Sequence, residues 1–156
     1  MIQRIQSFYL LLAILISISL FFLPFSKIEN SLQNSSITLK LDKTESIINT
    51  EITNDGSLIL LALNLLLISA LTYIIFLFKN RNSQIRLSMM TLIIDCVFLI
   101  LIFYLTDHMS TDSSSDNIPK YLVGTYLVGI QAFLILMAQR AIRKDEQLIR
   151  SADRIR

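Results

Sequence analysis

One acid stands inside an otherwise uncharged apolar run: Asp95, within Leu87 to Leu105. A carboxyl at the centre of a bilayer costs about 2.5–3.5 kcal/mol on insertion scales and seldom faces lipid, so it needs a reason to be there. Counted at about 1.5 Å per residue from the span ends that basic residues flank, Asp95 and Gln131 both fall roughly 10–12 Å deep. Ser69 and Thr72 fall near the same layer, and Asn64 lies closer to the other face. The spacing predicts that Asp95 turns into a bundle and hydrogen-bonds Gln131 or a hydroxyl of the second span. Two chemistries fit such an acid. It can glue helices through a hydrogen bond of about 0.6–2 kcal/mol, or its titration can relay a proton or solute. A lone acid with no second carboxylate or His in the spans favours glue.

The remaining reactive residues are few. A single Cys excludes an internal disulfide and a paired-thiol redox centre, and one Cys with one His excludes a zinc site built from those ligands in one chain. Cys96 adjoins Asp95 but points to a different helix face, where it reads as a small hydrophobe. His108 sits beside Asp107 in a polar connection and reads as a solvated surface residue. No phosphate-cradling Gly loop, GxSxG elbow or HExxH pair occurs, and no nucleophile and base are paired, so neither an enzyme nor a cofactor is expected. Asn34-Ser35-Ser36 matches the short glycosylation pattern, and Gly124 and Gly129, five apart, do not form a GxxxG face.

The elements that must position these residues are apolar helices. The chain has 156 residues, 53% of them hydrophobic and only 17% charged, with a mean hydropathy of +0.60. That is too apolar for an ordinary soluble domain. A spanning helix needs about 20 mostly apolar residues, and four segments approach or meet this: 5–25, 58–78, 87–105 and 121–138. Helices of a soluble bundle carry charges on an outward stripe, and these do not. In lipid every backbone polar group must be satisfied locally, which a helix achieves and an open sheet does not. The first span has an apolar core longer than a cleaved signal's and no small-x-small site after it, so it reads as an anchor. The expected fold is an all-α transmembrane four-helix bundle.

Basic residues orient it. Arg4, Lys79, Arg81, Arg86, Arg140, Arg143, Lys144, Arg150, Arg154 and Arg156 fall on one side, against Lys27, Lys40, Lys43 and Lys120 on the other. The positive-inside rule therefore places both termini and the inner turn 79–86 in the cytoplasm. In the outer loop 26–57, SITLKLD alternates apolar and polar residues and SIINTEIT resembles a second strand, so a small β-hairpin turning at KTE is expected. Alone it is marginal in water, so it packs on the helix ends or on a partner. The outer loop 106–120 is rich in Ser, Asp and Asn and reads as a solvated, mobile connection.

After the last span, residues 139–156 continue as a charged helical extension. Ala141, Ile142, Leu148, Ile149, Ala152 and Ile155 form an apolar stripe, and Glu146 precedes Arg150 by four residues. This tail suits anionic headgroups or a protein partner. Its interspersed acids and lack of aromatics argue against nucleic acid. The opening MIQRIQSFYLLLA and the closing RAIRKDEQLIRSADRIR resemble the two ends of domain of unknown function 4293, four-span membrane proteins of Bacteroidetes. The resemblance implies a bacterial inner-membrane protein and brings no activity. In that family the charged tail looks like a signature, so the resemblance makes Arg140, Arg143, Lys144, Asp145, Glu146, Arg150, Asp153 and Arg154 a candidate partner surface. The expected partners are membrane lipid and another membrane protein or a second copy of the chain. The leading expectation is a non-enzymatic accessory or scaffold subunit, and its rival is a small proton-coupled or solute transporter unit using Asp95.

Overall fold

In the computed structural model, residues 3–30, 35–41, 44–46, 55–77, 81–112 and 118–153 are described. They form four helices and four short strands: α1 Gln3–Ser19, β1 Ser26–Asn30, β2 Ser35–Leu39, β3 Thr44–Ser46, α2 Asp55–Phe76, α3 Arg81–Asp112, β4 Ile118–Tyr121 and α4 Val123–Asp153. The helices pack as a ring in which α1 lies against α2 and α4, and α3 against α2 and α4.

Each helix turns one stripe inward at the three-and-four spacing that 3.6 residues per turn requires. The buried stripes are Gln6, Leu10, Ala13, Ser17 and Leu20 on α1 and just beyond it, Leu60, Asn64, Leu67, Leu71 and Ile74 on α2, Thr91, Asp95, Phe98 and Ile102 on α3, and Val128, Gln131, Ile135, Ala138 and Ile142 on α4. The outward faces are apolar as well. Ser57–Phe76, Ser83–Ser110 and Val123–Leu148 are three helices long and apolar enough to cross a membrane, and only 28% of the most apolar stretch of the first two is buried. Phe8, Phe22, Phe76, Ile100 and Phe133 are all exposed. Water would not tolerate so continuous an outward apolar surface.

Several expected boundaries move. The run 5–25 is not one helix: α1 ends at Ser19, and its last turn tightens as Phe21 and Phe22 donate their N–H groups to Ile18 and Ser19 carbonyls at 3.2 and 3.0 Å. Pro24, which has no N–H to donate, then sets the chain up for β1. The expected inner turn 79–86 shrinks because α3 begins at Arg81, and α3 runs to Asp112, well past 105. The span expected at 121–138 starts later, because Tyr121 belongs to β4 and α4 opens at Val123, and α4 then runs without a break into the first part of the tail.

The sheet has the order β3-β2-β1-β4, antiparallel throughout. The expected hairpin is its β2–β3 pair, but β3 opens at Thr44, so Thr44 and Glu45 belong to the strand and not to the turn. Residues 47–53 of the expected second strand lie outside the described residues. Alternation within one loop could not reveal the other half. The loop expected to be a mobile connection supplies β4, which pairs with β1 and carries Pro119 on a sheet edge, where its missing N–H does no harm. The ladder is extended by Phe25 N–H to the Leu39 carbonyl and Leu122 N–H to the Phe25 carbonyl, both 2.8 Å.

The sheet packs on the helix ends. Phe25, Leu39 and Leu41 join Leu20, Leu60, Leu67, Phe98, Ile102 and Val128 in one buried cluster. Phe25 stacks edge-on against Phe98, Phe103 against Tyr121, and the Ser26 and Thr106 hydroxyls meet at 2.9 Å. On the solvent face Lys27 stands directly opposite Lys120, a repulsive pair that Glu29 resolves. Its carboxylate accepts from Lys120 at 2.6 Å and lies 3.0 Å from Lys27. The hydrogen bond from Lys120, then that from Lys27, holds the Glu29 carboxyl down at about 2.

Candidate functional site

The interior contains two apolar clusters with a polar layer between them. The cluster nearer the sheet takes Leu20, Leu67, Phe98 and Val128, and the second takes Leu10, Ala13, Leu71, Ile74, Ile135 and Ala138. Along their own helices Ser17, Asp95 and Gln131 fall in the gap, and all three are fully buried. Asn64 of α2 joins from the sheet side: its amide donates to the Ser17 carbonyl at 3.1 Å, while Gln131 Nε2 donates to Ser17 Oγ at 2.8 Å. One small residue of α1 thus ties α2 and α4 together.

Asp95 does turn inward, but the expected hydrogen bond is absent. Neither of its oxygens has a partner among the described residues. Gln131 has turned its donor to Ser17. Thr72, half-buried, donates to the Ile68 carbonyl at 2.7 Å, and Ser69 is exposed and donates to Leu66 at 2.8 Å. Both hydroxyls satisfy themselves on their own helix, as Ser and Thr in apolar helices commonly do. Gln131 lies in the same gap between the apolar clusters as Asp95 but bonds Ser17 instead, and Ser69, two residues from both Leu67 and Leu71 on the inward stripe, faces away.

The layer holds a surplus of acceptors: Asn64 Oδ1, Asp95 Oδ1 and Oδ2, and Gln131 Oε1 are buried and unbonded among the described residues. Such a layer can accept a donor, whether a proton on the carboxyl or a donor carried by a solute. No group of three or more His, Cys, Asp or Glu that could hold a metal ion occurs among the described residues. The residue missed at the level of sequence is Ser17. Its signal was the three-and-four spacing that sets it on one stripe with Gln6, Leu10 and Ala13.

The tail residues divide. Arg140, Arg143 and Lys144 are exposed, with Arg143 Nη2 resting 3.9 Å from Met89 Sδ of α3. Glu146 is half-buried. Asp145 is not on an outward surface: it is buried and accepts a hydrogen bond from Gln6 Nε2 of α1, which also reaches the Ala141 carbonyl at 3.3 Å. Ile142 is buried beside it, whereas Leu148, expected on the same apolar stripe, is 48% exposed. The inward stripe therefore runs through Ile142 and Asp145 because α4 is still packed on α1 at this level. The side chains of Arg150, Asp153 and Arg154 lie outside the described residues.

At the sheet end, α4 begins in close contact with the turn after α1. A Cβ on Gly124 would meet the Pro24 carbonyl oxygen at 2.6 Å, while one on Gly129 would meet nothing within 4 Å. Thr125 Oγ1 donates to the Phe25 carbonyl at 2.7 Å in the same contact.

The sequence matches the family model described as Domain of unknown function (DUF4293) over residues 2–155. The chain belongs to that family. The match runs from α1 through the whole of α4, so the DUF4293 unit includes the sheet, the polar layer and the packed part of the tail together. No curated protein is significantly similar to the chain.

Proposed function

We propose that the protein is a four-span integral protein of the bacterial inner membrane with both termini in the cytoplasm, acting as a non-enzymatic accessory or scaffold subunit. The observation that carries this reading is the ring of helices whose outward faces expose many large apolar side chains, joined to a sheet at one end and to an exposed basic surface at the other. Although α1 has only 17 residues, its hydrogen bonding continues to Phe22, giving 20 residues and about 30 Å, a bilayer's hydrocarbon thickness. The excess of Lys and Arg beside the end opposite the sheet supports the orientation. Arg140, Arg143 and Lys144 then present a cytoplasmic docking surface to another membrane protein or a second copy of the chain.

Truncation is a poor test of this surface, since Ile142 and Asp145 hold α4 to α1. The test is purification in mild detergent with identification of associated chains, comparing the native protein with Arg140→Glu, Arg143→Glu and Lys144→Glu combined. A stoichiometric partner lost on charge reversal supports the subunit reading, and a monodisperse lone chain contradicts it. A second reading, a proton-coupled or solute transporter unit using Asp95, is favoured by the surplus of buried acceptors. Asp95→Asn and Asp95→Ala separate the two. If the amide preserves assembly and cellular phenotype while Ala does not, the relay fails.

A further inference from the structure

At the end opposite the sheet the four helices leave a partly open space of about 190 Å³, lined by Gln6, Ser7, Ile75, Arg81, Ile142 and Asp145. A single water needs only roughly 15 Å³. Its polar lining is incomplete. Asp145 is 94% buried and spends Oδ2 on Gln6, yet its Oδ1 has no partner among the described residues. Arg81 Nη1, hidden in the same way, has none either. Gln84 completes neither group, because its amide donates to the Ile74 carbonyl at 3.2 Å. One carboxyl oxygen of Asp145 and one guanidinium nitrogen of the half-buried Arg81 thus lie buried at the lining of one space without bonding each other, an arrangement that a bridging ligand relieves.

The depth of this space defines the ligand. The apolar stretch of α2 ends at Phe76 and that of α3 starts at Ser83, beside Ile75 and Arg81 of the lining. In a membrane this is where acyl chains give way to headgroups. Phe8 and Phe76, adjoining Ser7 and Ile75 in sequence, are exposed, so apolar surface continues outward from the space.

We propose that the space binds the headgroup of a zwitterionic phospholipid of the phosphoethanolamine class, its phosphate on Arg81 and its ammonium on the free oxygen of Asp145. Guanidinium matches phosphate geometry, and the start of α3 at Arg81 adds the positive end of a helix dipole. The ammonium answers the unbonded carboxyl oxygen. Phosphatidylglycerol would meet Arg81 with the same phosphate but bring Asp145 only a neutral hydroxyl, and a simple cation would sit against Arg81. Only a ligand carrying both charges satisfies both ends.

This site rests on the membrane reading above, which resistance to alkaline carbonate extraction tests separately. The site itself is tested by native mass spectrometry of the full chain in mild detergent, titrated with dioleoyl phosphatidylethanolamine, dioleoyl phosphatidylglycerol, or soluble glycerophosphoethanolamine. The native chain should retain phosphatidylethanolamine over phosphatidylglycerol by roughly tenfold, with no displacement by the soluble headgroup. Asp145→Asn keeps an acceptor for Gln6 and should erase the preference, and Arg81→Gln should weaken phosphatidylethanolamine retention by roughly tenfold. Equal retention of the two lipids by the native chain, which needs no variant, overturns the site. So does a preference unchanged in Asp145→Asn, or displacement by the soluble headgroup. A chain that resists carbonate yet shows no preference overturns the headgroup site alone.

Discussion

Replacing Asp95 by Leu should make the protein more stable. Asp95 is wholly buried, and neither oxygen has a hydrogen-bond partner among the described residues, so the carboxyl contributes no bond between helices. A buried polar group left unbonded costs about 1–3 kcal/mol. Leu removes that cost, and its different shape returns up to about 1 kcal/mol as strain in a packed interior. The expected net gain is about 0–3 kcal/mol. The measurement is reversible unfolding in mixed micelles titrated with dodecyl sulfate, followed by helical circular dichroism, for the native chain, Asp95→Asn and Asp95→Leu. Leu should shift the midpoint upward, with Asn between. If Leu lowers stability by 1 kcal/mol or more while Asn retains it, Asp95 makes a hydrogen bond worth about 0.6–2 kcal/mol and the account of the polar layer is wrong. A stabilised Leu variant that loses a cellular phenotype would mark Asp95 as kept for activity.

The two glycines of α4 should respond oppositely. Gly124→Ala forces a Cβ into the Pro24 carbonyl and should destabilise by about 1–3 kcal/mol, whereas Gly129→Ala meets open space and should gain about 0.5–1 kcal/mol of helix propensity in the same assay. Glu29 gives the sheet a pH dependence. Its carboxyl sits at about 2 in the fold against a usual 4.5, so its stabilising contribution is full above pH 4.5 and is lost as pH falls from there towards 2. Amide exchange in β1 and β4 should speed up across that window in the native chain, and Glu29→Gln should remove the window by leaving Lys27 opposite Lys120 uncompensated at every pH. Gln6→Leu removes the donor that Asp145 and Ala141 share, and should free the α4 tail for proteolysis after Ile142 while leaving the sheet's exchange unchanged.

The helices were legible because their signal is local: an apolar run of the right length needs no knowledge of its neighbours. The inward position of Asp95 followed from cost alone. What the sequence concealed depends on rotation and on distant pairing. Ser69 matched Asp95 in depth but faces outward, and Ser17, which ties Asn64 to Gln131, carries no chemistry that would single it out. Half of the sheet was hidden because β4 lies some ninety residues from its partner β1, and no alternation within either loop connects them. Asp145 read as a tail charge because its neighbours are charged. Its real environment is set by Gln6, at the other end of the chain.

Cys96 provides the most direct test of the central claim. It is the single cysteine of the sequence, exposed in the middle of α3, so a spin label attaches there without any substitution. In the protein reconstituted into phospholipid vesicles, the label's relaxation should respond strongly to oxygen, which concentrates in hydrocarbon, and hardly at all to a water-soluble nickel chelate. A label relaxed by the nickel chelate and indifferent to oxygen would place the outer face of α3 in water and contradict the account.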